Sequence, residues 1–457
     1  MFVPPGRMLY SISRPSLPHL LSLRLLGTAA SRTTAVKQNK LLSGTLNFDD
    51  PSAFRVKSWG ELLRALGIFR LCSFPVLVNY CGKLMSVART LLGKRGFSLL
   101  LRPTVYAQFV AGENETEISQ SMKKMSLLGL RPMLAVPMEE DLGESTGEKR
   151  YDDNMEAMLD CVRMSHSNAW SRDPMMQLKV TALLSPELCV KLTTLAAQQP
   201  YDLKFLFIFI ENAHFLCGLK RLNKIAEASV NKVRVLVDSE YTYMNPALSL
   251  VTMAMMKKFN KDGAWVWNTY QCYLKESRSL LLEALRLSDL EGFCLGVKLV
   301  RGAYMDKERK LAAKEGRVDP IHKSWEDTNH SYNGSLDVML EVISQKPECH
   351  RIIVATHNEE SVRRAAERME ELGIEKNGGS VCFGQLLGMC DHVSLTLAKE
   401  SYIVYKSVPY GSVDDTLPYL VRRAQENRTV LQGIRKERDL LRKELQHRLK
   451  LKLRGGS

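Results

Sequence analysis

Cys294-Leu-Gly-Val-Lys-Leu-Val300 runs straight into Arg301-Gly-Ala-Tyr304, and the reading of this stretch decides the fold. A short run this apolar, interrupted only by Lys298 and followed by Arg-Gly, reads as a buried strand. Similar runs recur at Met133–Met138, Met176–Thr181, Val233–Asp238, Ala264–Asn268, Arg351–Ala355, Val381–Gln385 and Tyr402–Ser407. Segments with helical spacing of apolar residues lie between them. Eight strands alternating with helices predict an α/β chain folded as a (βα)8, TIM-like barrel. A doubly wound sheet is the structural rival. No Gly-x-Gly-x-x-Gly follows any candidate strand and no Walker loop occurs, which weakens its dinucleotide- and P-loop-type versions.

Upstream of the barrel, Trp59–Leu92, Leu99–Val110 and Glu115–Leu128 carry apolar residues at three- and four-residue spacing, predicting an N-terminal helical region over 49–128. Residues 1–48 contain no Asp or Glu but include Arg7, Arg14, Arg24, Arg32, Lys37 and Lys40 among many Ser and Thr, the composition of a mitochondrial transit segment. The barrel is expected over 129–435, followed by a basic helix or tail over 436–457. That tail is open to two readings, a solvated helix or a contact with an anionic membrane. The chain has 457 residues and a formal net charge of +14. No basic-aromatic module accompanies the charge, so nucleic acid is not an expected partner. The ten cysteines form no Cys-x-x-Cys and no zinc-spaced cluster, which fits reduced thiols in an intracellular compartment. No run of 18 uncharged apolar residues predicts a membrane span. Leu203–Cys217 is an apolar run inside a long insertion, readable as an extra buried element or as a lipid-facing patch.

In a barrel of this kind the reactive groups cluster at the C-terminal ends of the strands. Polar residues stand there: Lys179; Asp238 and Glu240; Asn268 and Tyr270; Lys298 and Arg301; Thr356, His357 and Asn358; Gln385; Lys406 and Ser407. Ionisable groups inside apolar runs are costly unless paired or functional. For any single residue a structural reading stands beside the functional one, such as a buried Lys179–Asp238 ion pair that only fixes the barrel. Beyond the last strand, Tyr419, Arg422, Arg423 and Glu426 fall near one face of a helix. Paired guanidinium forks suit a carboxylate, whereas a solvated basic stripe is the plainer alternative. His357 has no second ligand at convincing metal spacing. Lys179 and Lys298 leave open a Schiff-base aldolase.

With these residues in place, the chain resembles the proline dehydrogenase family over roughly residues 97–435. The likeness rests on KLVRGAY, ATHNEES and YLVRRAQEN. It implies an FAD enzyme on a distorted (βα)8 barrel. The phrases VYAQFVAGE, VWNTYQCYLK and FGQLLGMCDHVSL are similar to the members that oxidise hydroxyproline. By this resemblance Arg422, Arg423 and Lys179 grip the substrate carboxylate, and Asp238 orients Lys179 and Tyr419. Tyr419 packs over the substrate ring, with Ala303 and Leu386 as apolar contacts. Lys298 stands beside flavin N5, where bacterial members have Arg. Asn268 matches a Gln or Asn at the flavin. Arg301, Gly302 and Ala303 lie along FAD, Thr356 and His357 bind its phosphate or adenosine parts, and Glu426 closes the arginine helix onto it. Ser407 departs from the tyrosine of proline dehydrogenases, opening space for a substrate 4-hydroxyl and offering its own hydroxyl. The expectation is oxidation of trans-4-hydroxy-L-proline to 3-hydroxy-Δ1-pyrroline-5-carboxylate, with L-proline as the alternative substrate. Electrons are expected to pass to a quinone, in the mitochondrion, with peripheral contact to the inner membrane.

Overall fold

The computed structural model describes residues 46–138, 147–167, 170–196, 201–203, 206, 212–429 and 431–454. The transit-like segment over 1–48, apart from its last three residues, lies outside the described residues, as do residues 204–205 and 207–211 of the apolar run 203–217. Eight parallel strands close on themselves in chain order: β1 (Leu130–Ala135), β2 (Met175–Leu178), β3 (Arg234–Val237), β4 (Val266–Gln271), β5 (Leu295–Val300), β6 (His350–Ala355), β7 (Val381–Leu386) and β8 (Val404–Pro409). The last pairs with the first, Leu130 opposite Val404 through Ala135 opposite Pro409. The doubly wound alternative is therefore excluded.

Side chains alternate between lumen and outer face along each strand. Met133, Met175, Leu236, Trp267, Ile353, Cys382 and Tyr405, from seven strands, form one buried cluster and fill the middle of the lumen. Trp267 needs room that β5 supplies with Gly296, where a Cβ would stand 2.4 Å from the indole. The floor is ionic. Asp173 receives Arg131 at 3.1 Å and Arg234 at 2.8 Å, while Arg351 donates to the Gly379 carbonyl. This floor explains the misplacement of β1, expected at Met133–Met138 but starting at Leu130. Arg131 and Pro132 break the apolar run in the sequence, yet Arg131 is a lumen residue with a partner. β4 likewise extends to Gln271, three residues past its expected end, and β8 to Pro409. β2 stops at Leu178, so Lys179 and Thr181 fall beyond it, in and beside a 3-10 turn over Val180–Ala182.

The N-terminal region is helical, but in pieces. Trp59–Cys72 opens on a Ser58/Glu61 capping box, Pro75–Asn79 starts on proline, and Cys81–Leu101 is broken at Gly93, whose φ of 67° no other side chain adopts readily. The expected single helical stretch over Trp59–Leu92 is therefore interrupted at Ser73–Phe74 and at Tyr80. Glu115–Leu127 lies where expected.

A buried ion network binds the two ends of the chain to the barrel. Lys406, on β8, reaches Asp391 at 2.7 Å, and Lys57 reaches the same carboxylate at 2.7 Å. Lys406 also donates to the Leu386 and Met389 carbonyls, so this strand-end lysine is structural. Glu437, on the C-terminal helix Leu431–Arg454, accepts the Cys390 and Asp391 amides. Lys436 joins Glu359 and Asp49, and His392 joins Glu359. Burial would raise the Glu359 carboxyl, but hydrogen bonds from His392 and Lys436 outweigh it and bring it down to about 2. A carboxyl held low contributes stability above its ordinary range and loses it as the pH falls. The stability deficit of Glu359→Gln, measured by thermal unfolding, should be widest above about pH 4.5 and close toward pH 2. A deficit that stays constant across that window would remove Glu359 from the network's energetics.

Candidate active site

Above the apolar layer, the alternation that turns Met175, Leu236, Trp267, Gly296 and Tyr405 inward also turns Gln177, Asp238, Thr269, Lys298 and Ser407 inward. These residues line the C-terminal mouth of the barrel. Lys298 is 9% exposed and meets the Asp238 carboxylate at 2.5 Å, bridging from β5 across β4 to the end of β3. Asp238 extends the ladder, its amide donating to the Leu178 carbonyl at 2.8 Å. The ion pair that binds Asp238 therefore involves Lys298, a partner the sequence left unassigned. Lys179 continues β2 in an extended conformation and is half-buried; its charge acts on Glu240, whose buried carboxyl is pushed up by desolvation. Glu240 also receives the Thr181 hydroxyl at 2.8 Å.

Ser407 is buried, and its hydroxyl donates to Gln177 Oε1 at 2.7 Å across β1. Opposite, His357 sits just past β6 and accepts the Leu386 amide on Nε2 at 3.2 Å. Burial first, then the charges of Lys406 and Arg423, hold His357 down at about 3, so it is neutral. Its acceptor Nε2 leaves the proton on Nδ1, a donor for a ligand. Thr356 is buried beside it and accepts the Asn358 amide.

The helix Val413–Thr429 brings the arginine pair to this end. Pro418 interrupts its backbone ladder in the second turn. The Arg423 guanidinium lies 5.0 Å from the Tyr419 ring centroid, a cation–π contact, and its charge reaches His357. Arg422 and Tyr419 are half-buried beside it. The backbone of Glu426 continues the helix, but its side chain lies outside what the structure describes. At the end of β5, Arg301 is held by Asn329 and lies 4.7 Å over Trp325. Gly302 is exposed, and a Cβ there would meet only the Met305 side chain at 3.5 Å. No contact within the protein requires glycine at that position, so its smallness leaves room for something else. Ala303 and Leu386 are half-buried along the same rim.

Asn268 does not join the group. With Trp267 inward, Asn268 and Tyr270 face outward beneath the helices, where Tyr270 senses Tyr201 and the Asn268 amide nitrogen is buried without a hydrogen-bond partner. Beyond Thr269, the β4 residue that follows it on the inner face is Gln271, which donates to the Glu240 carbonyl and accepts from Asn245. Gln177 and Gln271 were both missed in the sequence. Counting alternate residues forward from Trp267 and Met175 reaches Gln271 and Gln177, once the strand ends are known. Among the described residues no group of three or more His, Cys, Asp and Glu can hold a metal ion. Lys298 sits in a charge pair and not in the apolar or all-cationic pocket that an amine nucleophile needs, which weakens the aldolase reading.

A closed (βα)8 barrel that brings Lys298, Asp238, His357 and the charge of Arg423 to its C-terminal mouth has the layout in which enzymes of this fold place their active sites. The proline dehydrogenase family profile matches residues 118–436. The chain belongs to the proline dehydrogenase family and is an oxidoreductase. It is 56% identical to a hydroxyproline dehydrogenase of Xenopus laevis, over 89% of this chain and 91% of that one. It is 45% identical to the hydroxyproline dehydrogenase of Homo sapiens, over 89% and 94%. With the mitochondrial proline dehydrogenase 1 of Homo sapiens the identity is 30%, over 87% and 88%. Among solved structures, proline utilization A from Bdellovibrio bacteriovorus has the same fold, with a TM-score of 0.60 at 20% identity. That match covers 83% of this chain but only 36% of the longer bacterial one.

Removing Asp238 would strand Lys298 in a largely dry mouth. Asp238→Ala should destabilise by on the order of 3 kcal/mol in denaturant unfolding, while Asp238→Leu combined with Lys298→Met should recover much of it. Equal loss in the single and double variants would show that the pair is not what the mouth depends on.

Proposed function

We propose that this protein uses FAD to oxidise trans-4-hydroxy-L-proline to 3-hydroxy-Δ1-pyrroline-5-carboxylate, and that L-proline is its poorer substrate. The observation that carries the specificity is the Ser407 hydroxyl, held on Gln177 at the inner face of β8. A hydroxyl with an anchored partner can exchange or share its hydrogen bond with a substrate hydroxyl, and such pockets discriminate against the analogue that lacks one. The 45–56% identity to proteins named hydroxyproline dehydrogenase supports the same reading. Lys179, Arg422 and Arg423 take the substrate carboxylate, the arginines in the forked geometry that suits it. Tyr419, stiffened by Arg423, covers the ring with Leu386 and Ala303, restricting it to a reactive orientation. Asp238 holds Lys298 in place on the cofactor side.

The residues present fit FAD. Gly302 leaves space where the protein itself does not need it, Arg301 and Lys298 supply positive charge, and neutral His357 with Thr356 offers donors suited to phosphate or adenosine groups. FAD held there would supply the hydride acceptor for oxidation at ring carbon 5. The chain's part is to bind the carboxylate, favour the neutral amine through its cations and exclude water from the ring. We assign the acceptor of the electrons as a quinone. We place the protein in the mitochondrion, supported by the acid-free, Arg- and Ser-containing segment 1–48 and by relatives named mitochondrial.

The first experiment is anaerobic titration of the purified protein while its visible spectrum is recorded. Hydroxyproline should bleach a flavin band, and proline much less at equal concentration. Bleaching mainly by proline would leave the fold and chemistry standing but sink the substrate assignment, and failure to bind FAD would sink the redox reading. In steady state, Ser407→Tyr should shift the kcat/KM ratio of hydroxyproline to proline by about tenfold toward proline, the scale of one lost hydrogen bond and its space. Gln177→Ala should raise KM for hydroxyproline several-fold with a smaller change for proline, since only the former uses the anchored hydroxyl.

A further inference from the structure

At the floor of the barrel, opposite the mouth, two cysteines stand side by side. Cys294 immediately precedes β5 and Cys349 immediately precedes β6. The two strands pair in parallel from Leu295 opposite His350 onward, so the cysteines are neighbours one step before the ladder begins. Their Sγ atoms are 3.1 Å apart. Neighbouring strands run about 4.8 Å apart, inside the span of Cα separations that a disulfide bridges. The backbone is held at both positions. The Cys294 amide donates to the Asn260 carbonyl at 2.7 Å, and its carbonyl accepts the Asn260 side-chain amide at 2.9 Å. The Cys349 amide donates to the Lys346 carbonyl, and its carbonyl accepts the Leu295 amide at 3.1 Å. A bond between the sulfurs therefore needs side-chain rotation and an approach of about 1 Å, with no change of backbone path.

The two thiols differ in access. Cys294 is 7% exposed and packs in the apolar cluster of the lumen, where burial and then the neighbouring thiol push it up to about 12. Cys349 is half-buried at the margin of that cluster, within reach of small solutes. The Lys346 ammonium, paired with Asp289, lies within electrostatic reach of it. A free cysteine in a core is ordinarily a small apolar filler, and Cys294 alone would be that. A half-buried thiol touching a second, buried one has a further capacity. The outer thiol meets an oxidant and the inner one resolves the product.

We propose that Cys349 and Cys294 are a reversible oxidation site for hydrogen peroxide, closing to a disulfide that ties β5 to β6 at the floor of the barrel. The Cys349 thiolate sulfur attacks one peroxide oxygen and the O–O bond breaks. The departing oxygen is protonated to water, and Cys349 becomes a sulfenic acid. The Cys294 sulfur then attacks the Cys349 sulfur, loses its proton and displaces the hydroxyl as a second water. The two thiols give up two electrons and two protons, and one peroxide becomes two waters. A dithiol reductant reverses the bridge by exchange. Lys298 and His357 are carried by the same two strands to the opposite end, so oxidation leaves them in place. The bridge closes a loop that holds the helices Met305–Lys314 and Trp325–Gln345, which stabilises the fold by restricting the unfolded chain. Without Cys294 the sulfenic acid goes on to a sulfinic acid that thiols do not restore.

The test is mass spectrometry of the full-length protein, reduced, freed of reductant, treated with hydrogen peroxide and then alkylated, alongside C294A and C349A. The wild type should lose two hydrogens and yield a peptide linking Cys294 to Cys349, at least tenfold more abundant than any other oxidised cysteine product. Dithiothreitol should restore both thiols. The thermal unfolding midpoint should rise by a few degrees on oxidation and return on reduction. C294A should form no link and instead carry two added oxygens on Cys349 that dithiothreitol does not remove. C349A should keep Cys294 as a thiol under the same treatment. Circular dichroism reports the folding of both variants, and the wild-type result stands without them. A wild type whose Cys349 gains oxygen without linking to Cys294, or in which both remain thiols while other cysteines oxidise, overturns the proposal. So does a folded C294A whose Cys349 is no more irreversibly oxidised than that of the wild type.

Discussion

The strict alternation of side chains in a closed parallel sheet is the constraint from which the rest of this structure follows. With eight strands and no edge, every second residue enters the lumen whether or not it is apolar. The middle layer satisfies this with Trp267, Ile353, Leu236 and their neighbours, and with Gly296 where the indole leaves no space. Above and below, the lumen receives charges, and each must find a partner. Below, Asp173 gathers Arg131 and Arg234. Above, Asp238 takes Lys298, and Ser407 takes Gln177. The floor is saturated within the protein. The mouth is paired so as to hold its groups in place while leaving cations for a ligand.

A second theme is the tethering of the chain ends. The barrel alone would present the rim carrying His357, Leu386 and Ser407 to water. Instead Lys406, Asp391 and Lys57 form a buried chain of charges behind that rim, and Glu437 caps the Cys390–Asp391 turn from the C-terminal helix. The N-terminal helices and the arginine helix then pack on one another. The arginine helix and its support are thus parts of one layer.

Much of the candidate site was legible because strand ends of a barrel converge whatever their separation in sequence. Lys179, Asp238, Lys298, His357, Ser407 and the Tyr419–Arg423 face were all readable as candidates, and the structure brings them to one end. What was not legible were parity and pairing. Where both faces of a strand are buried, as along β4, the apolar run does not show which side chains enter the lumen. This is why Asn268 stood in for Gln271, and why Lys298 was not recognised as the partner of Asp238. The start of β1 was missed for a related reason: an arginine reads as loop until its carboxylate partner, 42 residues away, is in view.

Local sequence by itself determined the eight alternating units, the barrel class, the family and the substitution at Ser407, because periodicity, motif and residue type are properties of neighbours along the chain. Only the tertiary structure decided which polar groups meet. It joined Ser407 to Gln177 and Lys298 to Asp238, and assigned Lys406 to the scaffold. Those outcomes depend on distances across the barrel and between layers, set by closure and packing, which local spacing does not encode.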